Sequence, residues 1–187
     1  MGAYADSYRR SLDDPDGFWA EQARAIDWIR RPDTVHSLEP AGAGDIDRWF
    51  AGGLLNTAYN ALDRHVISGR ADQPALIFHS AITGRRATFS YAQLLERVAK
   101  FGGALQALGV RPGDRVVIYL PMIPEAVFAM LACARIGAVH SVVFGGFASA
   151  ELATRIDDAR PTVVVSTAYG LEGGKVIAYK PLLDRAL

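Results

Sequence analysis

One cysteine, Cys133, is the whole thiol content of this 187-residue chain, so no internal disulfide is available and a reducing compartment suits it. Net charge is missing too. Twenty basic residues balance twenty acidic ones, which leaves no overall field to draw the chain to nucleic acid or an anionic membrane. The basic residues are also dispersed among acids without an interleaved aromatic face, which disfavours nucleic-acid recognition. No run is long enough to cross a bilayer, the longest in the central helix being Ala126 to Ala134. The opening MGAYADSYRR has an acid at position 6 and no apolar stretch, so the sequence predicts a cytoplasmic chain with no signal peptide and no membrane partner. His36, His65, His79 and His140 are scattered without an i, i+4 pair, so no metal site is expected. No G-x-G-x-x-G is present, which counts against a Rossmann-type nucleotide-binding domain.

What is present is apolar bulk, 50% of the composition, enough for a folded domain rather than a disordered one. Trp19, Trp28 and Trp49 all fall in the first 50 residues, among charges and interrupted by Pro15, Pro32 and Pro40. Residues 1–71 carry no sustained period and read as an arm, with short helices near 16–30 and 54–69. From residue 72 the pattern sharpens. Ala75–His79 and Arg86–Phe89 form a hairpin about Thr83-Gly84. Ser90 and Gln93 make a capping box for a helix whose face is Leu94, Val98, Phe101, Leu105 and Leu108, with Gly109 ending it.

Val116–Leu120 is an unbroken apolar run, the pattern of a parallel strand covered on both faces. A helix opens at Pro124, with Ile123, Ala126, Val127, Met130, Leu131 and Ala134 at 3.6-residue spacing, and Gly137 ends it. Val139–Phe144 returns as a strand. Ser149 is expected to cap a further helix through Leu152, Ile156 and Ala159, and Thr162–Thr167 gives another strand. The expected fold class is therefore α/β: an N-terminal arm (1–71) and a mostly parallel βαβαβ sheet unit (72–187). Gly145-Gly146 lies at a strand's carboxyl end, where open α/β sheets place their ligands. On the residues alone a plain turn requiring positive φ is the favoured reading. Cys133 reads as a small core residue, since no base or electropositive mouth accompanies it.

YLPMIPEAVFAMLACARIGAVHSVVFGGF, at 119–147, closely resembles the N-terminal region of AMP-forming short-chain acyl-CoA synthetases, the acetyl- and propionyl-CoA synthetase branch of the adenylate-forming enzymes. The resemblance covers the whole chain, through DPDGFW (14–19), RWFAGGLLNTAYNALDRHV (48–66), TFSYAQL (88–94) and YKPLLDRAL (179–187). The opening and the closing GLEGGKVIAYKPLLDRAL look more like the propionyl-CoA branch. The resemblance implies that Phe144, Gly145 and Gly146 border the CoA nucleotide. It also puts Glu172 and Lys175 where acetyl-CoA synthetases have two CoA-binding arginines. Lys175 keeps one cation there without bidentate geometry, and an exposed solvated loop is the competing reading. Glu172 is a mark of the branch, not a ligand. Arg64-His65, inside the matched LDRH, is expected to be structural.

The same resemblance implies ATP and CoA as substrates, Mg2+ with the ATP, and a short-chain carboxylate as the acid. The triphosphate loop, ribose-binding acid, acyl pocket and adenylation lysine belong to later parts of such sequences. The chain is thus expected to be an N-terminal fragment with no catalytic residues and no bound cofactor of its own. The competing expectation is a non-catalytic module that self-associates through its cut sheet.

Overall fold

The computed structural model describes residues 2–41, 44–146 and 148–187, apart from the side chains of Ala41 and Glu172. The backbone divides into two compact units, Met1–Asn56 and Thr57–Leu187.

The first unit holds more regular structure than its sequence pattern suggests. Helices α1 (Ala3–Asp13) and α2 (Pro15–Ala23) follow each other directly, and Asp14 divides them. Its carboxylate accepts from the Gly17 N–H at 3.0 Å, and Pro15 occupies the first helical turn, where its missing donor costs nothing. The helix expected over 16–30 stops at Ala23. Beyond it the chain folds back, with the Ile29 and Arg30 N–H groups donating to the Leu54 carbonyl at 2.8 and 3.1 Å. Strands β1 (His36–Ala41) and β2 (Gly44–Trp49) form an antiparallel pair. Across it His36 meets Asp47 at 2.7 Å and Arg48 meets Glu39 at 2.8 Å. The tryptophans pack locally: Trp19 edge-on to Trp49, and Trp28 against Phe50.

The second unit opens with helical residues 57–70, which contain two π-helical turns, Tyr59–Asp63 and Val66–Arg70. Arg64 donates to Asn60 and Arg70 to the Nδ1 of His65, which fits the structural role expected of Arg64-His65. Burial first, and then Arg70 and Arg64, push the His65 pKa down, so the imidazole is held neutral beside them. Strands β3 (Pro74–His79) and β4 (Arg86–Ser90) make the expected hairpin. Helix α3 (Tyr91–Ala107) then starts on a complete capping box. The Gln93 N–H donates to Ser90 Oγ at 3.3 Å and the Ser90 N–H to Gln93 Oε1 at 3.0 Å. Leu94, Val98 and Leu105 are buried as expected, whereas Leu108 lies past the last turn and is exposed.

Strand β5 (Arg115–Tyr119), helix α4 (Pro124–Ile136), strand β6 (Val139–Val143), helix α5 (Ser149–Ala159) and strand β7 (Val163–Ser166) complete the βαβαβ pattern. The sheet is fully parallel, in the order β6-β5-β7. Central β5 alternates its side chains between two cores. Val116 and Ile118 face the cluster built on α3 and α4, while Val117 and Tyr119 face the one containing Leu152 of α5. Two expectations are corrected here. Helix α4 buries Phe128, Ala129, Ala132 and Cys133 most deeply, while Ile123, Ala126, Met130 and Leu131 of the expected set pack half-buried against the same core, because the helix is apolar nearly all round and two faces satisfy the same period. Ser149 is the first residue of α5 and makes no capping bond; Ala148 holds the cap position. The far end of α5 is capped across the chain, Arg115 donating to the carbonyls of Ala159 and Arg160 at 2.9 and 3.2 Å.

Strands β8 (Gly170–Glu172) and β9 (Lys175–Ile177) form a short hairpin, and helix α6 (Tyr179–Ala186) packs on α5 and β7. Among the described residues no helix is long and apolar enough to cross a membrane.

Candidate functional site at the carboxyl ends of the parallel strands

Apolar run, helix, apolar run is a sequence that can only bury its strands by stacking them in parallel, and the register brings their carboxyl ends level. Tyr119 of β5 sits between Val143 of β6 and Ser166 of β7. From β5 the chain crosses first to one side and then back to the other, so this end of the sheet is a topological switch point, the place where open α/β sheets hold ligands. Three segments leave it: Pro121–Ile123, Phe144–Gly146 and Thr167–Tyr169. Each carries a large exposed apolar side chain, Met122, Phe144 and Tyr169, the last two at 64% and 63% exposure. Such surface invites a partly apolar occupant.

The Gly145-Gly146 turn is where the sequence places it, immediately after β6, but the reason for glycine differs from the one expected. Gly146 does not adopt positive φ. Instead the Phe144 ring folds over it, and a Cβ at 146 would stand 2.5 Å from Phe144 Cε1. Glycine here is what lets the exposed ring lie against the backbone. Phe147 lies outside the described residues.

Lys175 is placed on a defined element rather than a loose loop. It opens β9, opposite Glu172 in register, across a two-residue turn in which Gly173 (φ 54°) and Gly174 (φ 76°) are both left-handed. That pair of positive φ values is what a tight hairpin requires, and Gly-Gly is the sequence signal for it. The Lys175 side chain is exposed. The Glu172 side chain lies outside the described residues.

Two tyrosines, neither singled out in the sequence, link the turn to the hairpin. Tyr119 is wholly buried at the end of β5, and its hydroxyl donates to the Gly145 carbonyl at 3.5 Å, the long limit of a hydrogen bond. Its ring lies 4.8 Å from that of Tyr179, also wholly buried, at the start of α6. Tyr179 in turn closes over Gly170 at the foot of the hairpin. The signal available in the sequence was an aromatic at the last position of a buried strand, where a hydroxyl must find a partner.

Other chemistry is sparse. Cys133 is fully buried in α4, and burial pushes its thiol up to about 11, so it stays a neutral core group at ordinary pH. Among the described residues no group of three or more His, Cys, Asp or Glu is arranged to hold a metal ion. A surface hollow of about 220 Å³, lined by Thr88, Phe89, Gln93, Glu96 and Arg97, lies along β4 and α3.

Comparison with known proteins places this geometry. Residues 63–184 match the family model of AMP-binding enzymes, and residues 4–61 match the acetyl-coenzyme A synthetase N-terminus. The chain is 50% identical to a propionate–CoA ligase of Salmonella typhimurium, over 99% of this chain and 29% of that protein. It is 48% identical to the mitochondrial acyl-CoA synthetase short-chain family member 3 of Mus musculus, over 100% of this chain and 27% of that one. Among solved structures, acetoacetyl-CoA synthetase from Streptomyces lividans superposes with a TM-score of 0.85 at 32% identity, covering 100% of this chain and 28% of its own. The chain therefore spans less than a third of the length of these relatives.

Proposed function

Because this chain belongs to the AMP-binding enzyme family, we propose that it is the N-terminal part of a cytoplasmic, ATP-dependent short-chain acyl-CoA synthetase acting on propionate or acetate. In the whole enzyme the carboxylate attacks the α-phosphate of ATP, pyrophosphate leaves, and the CoA thiol then displaces AMP from the acyl adenylate. Mg2+ accompanies the ATP. The chain's own share is the arm (1–71), the first part of the AMP-binding domain (72–187) and one wall of the CoA site. Propionate is favoured by the likeness to the Salmonella ligase.

The observation that carries this reading is a coincidence of place. The Phe144-Gly145-Gly146 turn lies at the switch point of the parallel sheet, inside the span matching the family model. There the exposed Phe144 ring can meet a flat base, while the glycine backbone admits phosphates. Lys175, exposed on its hairpin, is suited to one CoA phosphate as a point charge. The reading is tested by assaying the full-length enzyme with ATP, CoA and propionate or acetate. Acyl-CoA, AMP and pyrophosphate are expected in equal amounts; release of ADP, or no acyl-CoA from either acid, overturns it.

Self-association of the 187-residue chain is a second proposal, favoured by one observation. Strand β6 is an outer strand of its sheet, with Val139 and Val142 exposed along it, the kind of edge that recruits another strand. Sedimentation of the purified chain should give a dimer or larger species; a monodisperse monomer refutes this proposal.

A further inference from the structure

The glycine turn after β6 and the hairpin after β7 come from different strands. Yet a continuous buried path joins them. The Gly145 carbonyl is reached by the Tyr119 hydroxyl, Tyr119 packs on Tyr179 with ring centroids 4.8 Å apart, and Tyr179 closes against Gly170. A Cβ at Gly170 would come within 2.8 Å of Tyr179 Cε2 and 3.2 Å of Pro121, so the foot of the hairpin is clasped between α6 and the segment leaving β5. The Lys180 N–H donates to the Ala168 carbonyl at 3.2 Å and closes the loop that carries the hairpin. Tyr119 and Tyr179 both show no solvent exposure, so each ring is fixed by the other and by its walls.

We infer that Tyr119 and Tyr179 are positioning residues that hold the Phe144–Gly146 turn and the Gly170–Ile177 hairpin in one mutual arrangement, so that a single CoA molecule meets both. The inference rests on the proposed CoA site. Neither tyrosine touches CoA; each acts through the backbone it braces. A loosened brace lets turn and hairpin move independently, and CoA then bears the ordering cost of both. Adenylation of the acid does not use these elements and is untouched.

The test has two arms. In the full-length enzyme, Tyr179→Leu should raise KM for CoA by about fivefold or more while acid-dependent pyrophosphate exchange stays within about twofold; Tyr179→Phe, which keeps the ring, should restore KM. In the 187-residue chain, Tyr179→Leu should speed amide hydrogen exchange in both 170–177 and 144–146, with α3 unchanged. Exchange that quickens only in the hairpin, or equally throughout the chain, overturns the brace. So does an unchanged KM for CoA in an enzyme whose Gly146→Trp variant loses CoA affinity. If the wild-type enzyme makes no acyl-CoA, the proposed function falls, and the exchange arm alone decides the brace. Should Tyr179→Leu fail to fold, Tyr119→Phe, which removes one hydroxyl, should quicken exchange at 144–146 alone; no change there overturns the inference.

Discussion

Replacing Gly146 by Trp in the full-length enzyme raises KM for CoA by about tenfold or more and leaves acid-dependent pyrophosphate exchange nearly intact. Even a methyl group at 146 stands 2.5 Å from the Phe144 ring, so an indole must drive that ring aside and fill the space over the turn. The fold should tolerate this. Phe144 is largely exposed, and no positive φ at 146 is violated, so the damage is confined to what approaches the backbone from outside. Gly146→Ala should fall between the two. Measuring the half-reactions separately decides the matter: equal loss in both means the substitution has disturbed the fold, and the turn is then only a turn.

The largest expected effect on stability belongs to Asp63→Ala. Asp63, in a π-helical turn of residues 57–70, takes a two-pronged grip from Arg135 near the end of α4: Nη1 to Oδ2 at 2.7 Å and Nη2 to Oδ1 at 3.0 Å. The carboxylate side chain is 17% exposed and the guanidinium 32%, so removing the acid takes a two-pronged partner from a cation with only partial access to water. Full burial would make that cost 3–5 kcal/mol; with a third of the guanidinium wet, about 2 kcal/mol is expected. For a chain of this size that lowers Tm by roughly 4–8 °C. Asp63→Asn, which keeps the shape and one acceptor, should lose less. Thermal melts of the three proteins settle the order, and a Tm for Asp63→Ala within a degree of wild type would show the pair to be idle.

How much of this was legible depends on how local each signal is. The capping box of α3 is written in Ser90 and Gln93, three residues apart, and the structure closes both of its bonds. The β5 run announces a strand buried on both faces because nothing else tolerates five consecutive apolar residues so well. The face of α4 was not legible, since Phe128, Ala129, Ala132 and Cys133 satisfy helical spacing as well as their neighbours do; only the sheet and α3 choose between them. Helix α1 was invisible for a related reason. Its apolar positions Tyr4, Tyr8 and Leu12 are exposed, so no core demanded them. At the candidate site the glycine turn could be placed from the family pattern and the strand before it. The tyrosine link could not, because Tyr119 and Tyr179 are sixty residues apart in sequence and meet only once the sheet and α6 are assembled. An exposed solvated loop is the competing reading of the sequence around Lys175; the paired left-handed φ values of Gly173 and Gly174 make the backbone there a tight hairpin.

Strand β5 has one more property that follows from its alternating faces. Each of its four buried residues, Val116 to Tyr119, is committed to one of two separate cores, so parity, not just polarity, is encoded in the strand. A single-residue insertion or deletion there would exchange the two sets and send the Tyr119 hydroxyl into the α3–α4 layer, where nothing is arranged to receive it. Point substitutions among Val and Ile are a matter of volume; a change in length inverts the strand. Natural variation in homologous chains should therefore put its length changes in the connections around β5 and never within it.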